Sequence, residues 1–508
     1  MKNILFRKQK MVMGIIAIVY FAILLYFADG HIMWMDDVAQ IGMVNHDSFS
    51  EFVKDIIASD NTPPVSHIID FFWLKYAPYS ARWIKVPSIL FGTLGVFFIG
   101  LVASEIVQNI SEDSNKEISS FIAGISAMSL AMANEIAIKL GHYTFRSYGM
   151  FYGISAITLY LFILQRDDSS KRIKYLVSIW FLIMTHYFGC LIVLCLAIID
   201  LIETIVVNGT KKEFWRRFIQ YTVVLLLYVP WIIAVAASSL SKMGSFFLEK
   251  PTISGVIATW LTLNAQHKLW VLLAVVSIIA LIAKGIIDKG ARKNSLVYAV
   301  TLCIPYFVFA IVFAFSTFAV SHGMSSLWKV RYFVGLIPYF AVAGGILFGI
   351  ICNFAMEKIE LDIVRRNASI LAVLFGCLIL VYGVHRLCIM DRDTVAYDSI
   401  NLYEQSLYYL AEQDDINNDD VIVLTRDYEM FPSMKNGFAY VIHQEYPDVR
   451  MDNFYGTLVD KDISNVRKAY VVNLNMDNFE YDIDSIKNLG LTYTESIDNL
   501  PIDIYEMR

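Results

Sequence analysis

The chain is predicted to be a polytopic α-helical membrane protein of about 11 transmembrane helices, followed by a small extracytoplasmic α/β domain. Three observations predict this. Of its 508 residues, 57% are hydrophobic and 17% charged, with a mean hydropathy of +0.54; soluble domains are nearer 45–50% and roughly 25%. The apolar residues come in runs of about 18–22, the length that crosses a hydrocarbon core. Charge is also divided along the chain: residues 391–508 hold 24 acids and nine bases, leaving 23 acids and 32 bases upstream. The net charge of −6 therefore averages a basic membrane part and an acidic appendage. This composition excludes a disordered chain, a collagen, a small disulfide scaffold and a water-soluble nucleic-acid-binding protein.

The first apolar run, 11–28, follows Lys2, Arg7, Lys8 and Lys10. No small-x-small cleavage site succeeds it and many further spans follow, so it reads as a retained signal anchor. Further runs cover 87–107, 118–133, 149–164, 174–184, 188–207, 218–237, 269–287, 295–315, 334–354 and 369–388. Among these, 174–184 is short and 118–133 is rich in small residues. The even-numbered connections carry the bases, as in Arg166/Lys171/Arg172/Lys174, Lys211/Lys212/Arg216/Arg217, Lys284/Lys289/Arg292/Lys293 and Lys358/Arg365/Arg366. With the N-terminus, about 20 Lys and Arg fall on that side against about 11 on the other, which places the N-terminus inside. An odd number of spans then puts the acidic tail outside.

Two domains follow: a membrane domain, 1–390, whose first outer loop is 29–86, and an external domain, 391–508. Within the loop, residues 50–59 place Phe52, Val53, Ile56 and Ile57 on one face and Glu51, Lys54 and Asp55 on the other, the pattern of an interfacial helix. In the tail, 398–412 and 483–489 read as helices and 421–425, 470–474 and 502–505 as strands, an alternation that suggests α/β. The six cysteines lie mostly inside apolar runs with no Cys-x-x-Cys pair, and read as small buried hydrophobes.

The polar residues that interrupt this pattern are the candidates for chemistry. Asp36-Asp37 lies shortly after the first span; carboxylates beside a membrane gain basicity by desolvation and suit a general base, while from spacing alone the pair reads first as an exposed acidic cap on a loop helix. Thr62-Pro63-Pro64 reads as a rigid bend. Arg82 and Lys85 precede Pro87-Ser88, where they meet headgroups or a substrate. Arg146 stands among Tyr143, Phe145 and Tyr148 where a span begins, placed to snorkel or to clamp a phosphate. Thr185-His186-Tyr187 falls between two runs, and Lys329, Arg331 and Tyr332 open the tenth span. Carboxylates and cations thus gather on the outer leaflet, as a lipid-linked phosphate would require. There is no P-loop, G-x-G-x-x-G after a strand, H-E-x-x-H or G-x-S-x-G, which argues against an ATP-driven pump or a membrane metalloprotease of the usual kind.

In these residues the sequence resembles the membrane glycosyltransferases of the GT-C fold, family 39-like, in the protein mannosyltransferase and aminoarabinose transferase superfamily. The resemblance rests on Asp36-Asp37 after span one, on Thr62-Pro63-Pro64, and on Ser80-Ala81-Arg82-Trp83-Ile84-Lys85-Val86-Pro87-Ser88 leading into span two. It continues with Thr144-Phe145-Arg146-Ser147-Tyr148, Thr185-His186-Tyr187, Pro230-Trp231, and Arg331-Tyr332 with Pro338. These motifs keep the family order over about residues 10–390. Asp37 stands where the family has Glu, and Thr144 replaces an acidic residue. The resemblance implies transfer of a sugar from a polyprenyl-phosphate donor to a protein, lipid or cell-envelope glycan at the outer face, with inversion. Asp36 would be the base beside Asp37, while Arg146, Arg331, Lys329, His186 and Arg82 would hold the donor phosphate. It implies no obligatory metal, although an Asp pair can hold a divalent cation. The setting expected is a bacterial cytoplasmic membrane. The alternative from another class is a transporter or flippase for a lipid-linked or anionic substrate, which would place charges near the middle of its spans.

Overall fold

The computed structural model describes residues 2–28, 35–59, 62–77, 80–111, 116–208, 210–242, 250–264, 268–287, 292–324 and 326–358, and, in the tail, 381, 406, 409–410, 412–416, 418–426, 451–453, 465–473, 490–497, 500 and 502–507. The chain forms two compact units. One comprises Met1–Phe27, Thr62–Ser66 and Lys85–Ile389; the other comprises Ala28–Asn61, His67–Ile84 and Met390–Arg508. Most of the first loop thus clusters with the tail.

The first unit is a multi-pass membrane bundle. Among the described residues, eight helices are long and apolar enough to span: Lys8–Phe27, Val86–Ile110, Ser147–Asp167, Phe188–Val206, Lys211–Ala236, Lys268–Ile287, Asn294–Ser321 and Val330–Phe354. The helices Lys116–Met132 and Glu135–Gly141, bent by 63°, make a possible ninth. Nine of the eleven expected runs therefore fall on these elements. The run 174–184 belongs to the 12-residue helix Arg172–Ile183, which at 1.5 Å per residue is too short for a hydrocarbon core of about 30 Å. The run 369–388 lies outside the described residues.

Small residues let the central helices approach closely. A Cβ on Gly345 would meet the Ala127 Cβ at 2.5 Å and the Ala123 carbonyl oxygen at 2.6 Å; one on Gly349 would meet the Ser119 carbonyl oxygen at 2.9 Å. The small-residue character of 118–133 is thus an interhelical contact surface.

At one end of the bundle the connections are tied by buried charge. Asp200, wholly buried, accepts from Arg172 Nη1 at 2.8 Å, Tyr221 Oη at 2.9 Å and Gln165 Nε2 at 3.2 Å, and also from Arg217 Nη1. One turn on, Glu203 receives Arg166 through both carboxylate oxygens, at 2.8 and 2.7 Å. A buried charge is tolerated when it is paired and hydrogen-bonded in this way.

The loop, most of which belongs to the second unit, folds as helices Met35–Val44, Phe49–Ser59 and Val65–Leu74 with the short Ala81–Ile84. The amphipathic helix expected at 50–59 is present. Its apolar face is covered by protein: Phe52 stacks on Phe71 at 4.6 Å, and Phe52 and Ile56 are buried.

Among the described residues, the tail forms a five-stranded sheet. Its strands are β1 (Val421–Arg426), β2 (Met451–Asn453), β3 (Lys468–Asn473), β4 (Leu491–Ser496) and β5 (Ile502–Met507), in the order β2-β1-β3-β5-β4. β1 is parallel to β2 and β3, and β5 is antiparallel to β3 and β4. Ile422, Leu424, Ala469, Val471, Leu491 and Tyr505 form part of its core. The three expected strands correspond to β1, β3 and β5. The expected helix 483–489, and most of 398–412, lie outside the described residues.

Candidate active site

The Thr185-His186-Tyr187 segment reverses the chain between helices Arg172–Ile183 and Phe188–Glu203. The Thr185 hydroxyl donates to the Phe181 carbonyl at 2.7 Å. Gly189 packs so tightly on the Leu182 carbonyl that a Cβ there would collide with it. His186 is buried in this turn. Its ring stacks on Phe151 at 4.6 Å and 16°, and it meets Tyr187 at 4.6 Å, Tyr332 at 5.8 Å and Tyr148 at 6.1 Å. Nδ1 accepts the Phe188 amide at 3.2 Å, so the proton of the neutral ring resides on Nε2, as a donor.

The same contacts bring together the segments that carry three cations. Arg146 is the half-buried, extended residue before helix Ser147–Asp167, two positions ahead of Tyr148. Arg331 is half-buried, with its guanidinium 5.7 Å from the Tyr332 ring. Lys329 is exposed and precedes the 3-10 helix Val330–Leu336. Because Tyr148 and Tyr332 both abut His186, the segments carrying Arg146, Lys329 and Arg331 meet at this turn. The Pro63-Pro64 element joins them through the Val65 amide, which donates to the Met184 carbonyl at 3.0 Å.

Two neighbouring polar groups have local structural work. The Thr144 hydroxyl donates to the Leu140 carbonyl at 2.7 Å, and Glu135 pairs with Lys139 at 2.6 Å. Lys85, the residue before helix Val86–Ile110, is wholly buried. The sequence suggests that it meets headgroups or a substrate, and nothing in its local pattern marks a buried cation.

The remaining three candidates lie in the second unit. Asp36 and Asp37 occupy the first turn of helix Met35–Val44, where the helix dipole favours negative charge. Asp37 is wholly buried and Asp36 half-buried. One turn on, buried Gln40 donates to buried Asp70 at 2.8 Å, a pair that sequence reasoning missed. Arg82, half-buried, sits on the short helix Ala81–Ile84. Among the described residues, no three His, Cys, Asp or Glu side chains gather as a metal cage.

The helical membrane bundle with its appended sheet is a GT-C fold, the fold that the motif resemblance implied. The chain is similar to ArnT from Cupriavidus metallidurans, solved bound to undecaprenyl phosphate and in the apo state. Each matches with a TM-score of 0.57 and 11% identity over 97% of both chains. An oligosaccharyltransferase from Archaeoglobus fulgidus, solved with zinc and sulfate, gives a TM-score of 0.49 and 9% identity over 90% of this chain and 67% of that one. No family model matches the sequence, and no curated protein is similar to it.

Proposed function

We propose that the protein is an integral-membrane glycosyltransferase that moves a sugar from a polyprenyl-phosphate donor to an acceptor on a protein, lipid or cell-envelope glycan. The observation that carries this reading is the meeting of the Arg146, Lys329 and Arg331 segments at the His186 turn. It occurs in a chain with the fold of ArnT, whose structure contains undecaprenyl phosphate.

In this reaction the acceptor hydroxyl or amine gives its proton to Asp36 and attacks the anomeric carbon opposite the phosphate. The bond from that carbon to the phosphate oxygen breaks, and its electron pair leaves with the polyprenyl phosphate, inverting the centre. Asp36 is the more accessible carboxylate of the pair, which suits the base; Asp37 beside it is buried. The leaving phosphate gains negative charge, and preplaced cations stabilise that change most effectively. Arg146, Lys329, Arg331 and Arg82 have this role, and His186 adds a neutral N–H donor. The setting is a bacterial cytoplasmic membrane, with the N-terminus inside and residues 391–508 as a separate domain outside, a reading supported by the bias of Lys and Arg to one set of connections.

The test is turnover of labelled polyprenyl-phosphate sugars in membranes bearing the wild type or Asp36→Asn, with total lipid, protein and glycan extracts as acceptors. Loss of a base is expected to cost about 10²–10⁴-fold. No donor cleavage by the wild type, or flux of intact donor across the membrane, would sink the proposal and favour a transporter.

A further inference from the structure

The helix Lys211–Leu226 opens the span Lys211–Ala236. At 1.5 Å per residue these 26 residues reach about 39 Å, whereas a hydrocarbon core is about 30 Å thick. About one or two turns therefore extend among the headgroups, and Lys211 and Lys212 mark the end that does so. Hydrogen bonds fix which side of this helix faces the protein. Arg217 donates to Glu213 at 3.0 Å and also to Asp200; Gln220 accepts from Arg172 Nε at 2.9 Å, and Tyr221 donates to Asp200 at 2.9 Å. At about 100° per residue, Lys211, Lys212, Trp215 and Ile219 fall on the opposite side, and all four are exposed. The Trp215 ring packs edge-on against Phe214 at 5.6 Å and Phe218 at 5.5 Å. Arg216 and Arg217 are matched to Glu213, whereas Lys211 and Lys212 pair with no carboxylate among the described residues.

An indole beside two ammonium groups without carboxylate partners suits one class of ligand. The ring belongs at a membrane interface, with its apolar body against acyl chains and its N–H toward the headgroups. The ammonium groups attract a lipid phosphate, most strongly where the headgroup carries no ammonium of its own to repel them. We propose that the outward face of Lys211–Ile219 binds an anionic phospholipid, with Lys211 and Lys212 toward its phosphate and Trp215 beside its acyl chains.

The test uses the full-length protein in phosphatidylcholine nanodiscs that carry a minor share of brominated-chain phosphatidylglycerol or, in a second set, of brominated-chain phosphatidylcholine. Bromine quenches indole fluorescence on contact, so the part of the quenching that is lost in Trp215→Phe reports the lipid beside this face alone. That part should be about fivefold or more stronger with phosphatidylglycerol, as expected for a surface cation beside an anionic headgroup. The preference should shrink at high salt. Lys211→Ala/Lys212→Ala should bring the two lipids close to parity, and Lys211→Glu/Lys212→Glu should favour phosphatidylcholine. If either variant misfolds, Lys211→Gln/Lys212→Gln, which keeps much of each side chain, should still abolish the preference. Equal quenching by the two lipids in the wild type overturns the site, as does a preference for phosphatidylglycerol that survives the loss of both lysines in a folded variant. Absence of any quenching that depends on Trp215 overturns it too.

Discussion

The two ends of the helix bundle treat their cations differently. At the Asp200 end, Arg166, Arg172 and Arg217 are matched to Asp200 and Glu203 in a buried lattice of ion pairs. At the His186 end, the segments of Arg146, Lys329 and Arg331 converge among the rings of Phe151, Tyr148, Tyr187 and Tyr332. One end joins helices through arginines paired with buried carboxylates; the other seats a histidine among aromatic rings where segments that carry three cations meet. The first arrangement joins helices; the second is the one proposed above to hold the donor phosphate.

That division is easiest to break at Asp200. Asp200→Ala leaves the buried Arg172 without its carboxylate, and such a loss costs about 3–5 kcal/mol; thermal unfolding in detergent should show it as a much lower Tm. Arg331→Ala and Arg146→Ala should do the reverse. Removing one preorganised donor to a developing anion costs about 10²–10³ in turnover, and Tm should fall less than in Asp200→Ala. A large fall in Tm with proportionate loss of activity in these variants would assign the His186 end to stability as well. His186→Phe preserves an aromatic stack on Phe151 while deleting the N–H. It should lower donor turnover about tenfold, the worth of one hydrogen bond to a charged group, with little change in Tm.

Much of this was readable in advance because the signals are local. Apolar runs mark the spans, and the polar Thr185-His186-Tyr187 marks a turn by interrupting two of them. The pairing of Arg166 with Glu203 and of Arg172 with Asp200 spans 37 and 28 residues, well beyond the three- or four-residue spacing at which helix charge pairs are legible. Those arginines therefore read only as basic anchors. The run 118–133 looked like a weak span because residues selected for close packing, such as Ala123 and Ala127, contribute little hydropathy. Asp36-Asp37 stood out as a pair, but burial of Asp37 alone depends on tertiary contacts. β2 and β4 escaped because Met-Asp-Asn is too short to alternate, and β4 is an edge strand whose residues after Leu491 and Thr492 are mostly exposed.

The smallest effect expected lies in the tail, where a partly exposed ion pair provides a contrast with the Asp200 lattice. Partial burial would raise the Asp415 carboxyl, but hydrogen bonds from Lys468 at 2.8 Å and Tyr470 at 2.7 Å overcome it and hold Asp415 below its ordinary value. The same partner raises Lys468 against the effect of its own desolvation. The depressed carboxyl contributes stability that is present above the unfolded value, about 3.9, and is lost as pH falls through the folded one. The raised amine contributes stability that is complete below about 10.4 and is lost as pH rises through its folded value. Between those limits the pair is worth about 1 kcal/mol at most, since it is partly solvated. Hydrogen-exchange protection of residues 466–473, corrected for intrinsic exchange, should therefore fall roughly fivefold in Asp415→Asn at pH 6. Wild-type protection should fall toward that of the variant as pH drops below about 4. Equal protection in the two proteins at pH 6 would show that β3 is held by its apolar core, with Ala469 and Val471, and that the ion pair at its edge contributes nothing measurable.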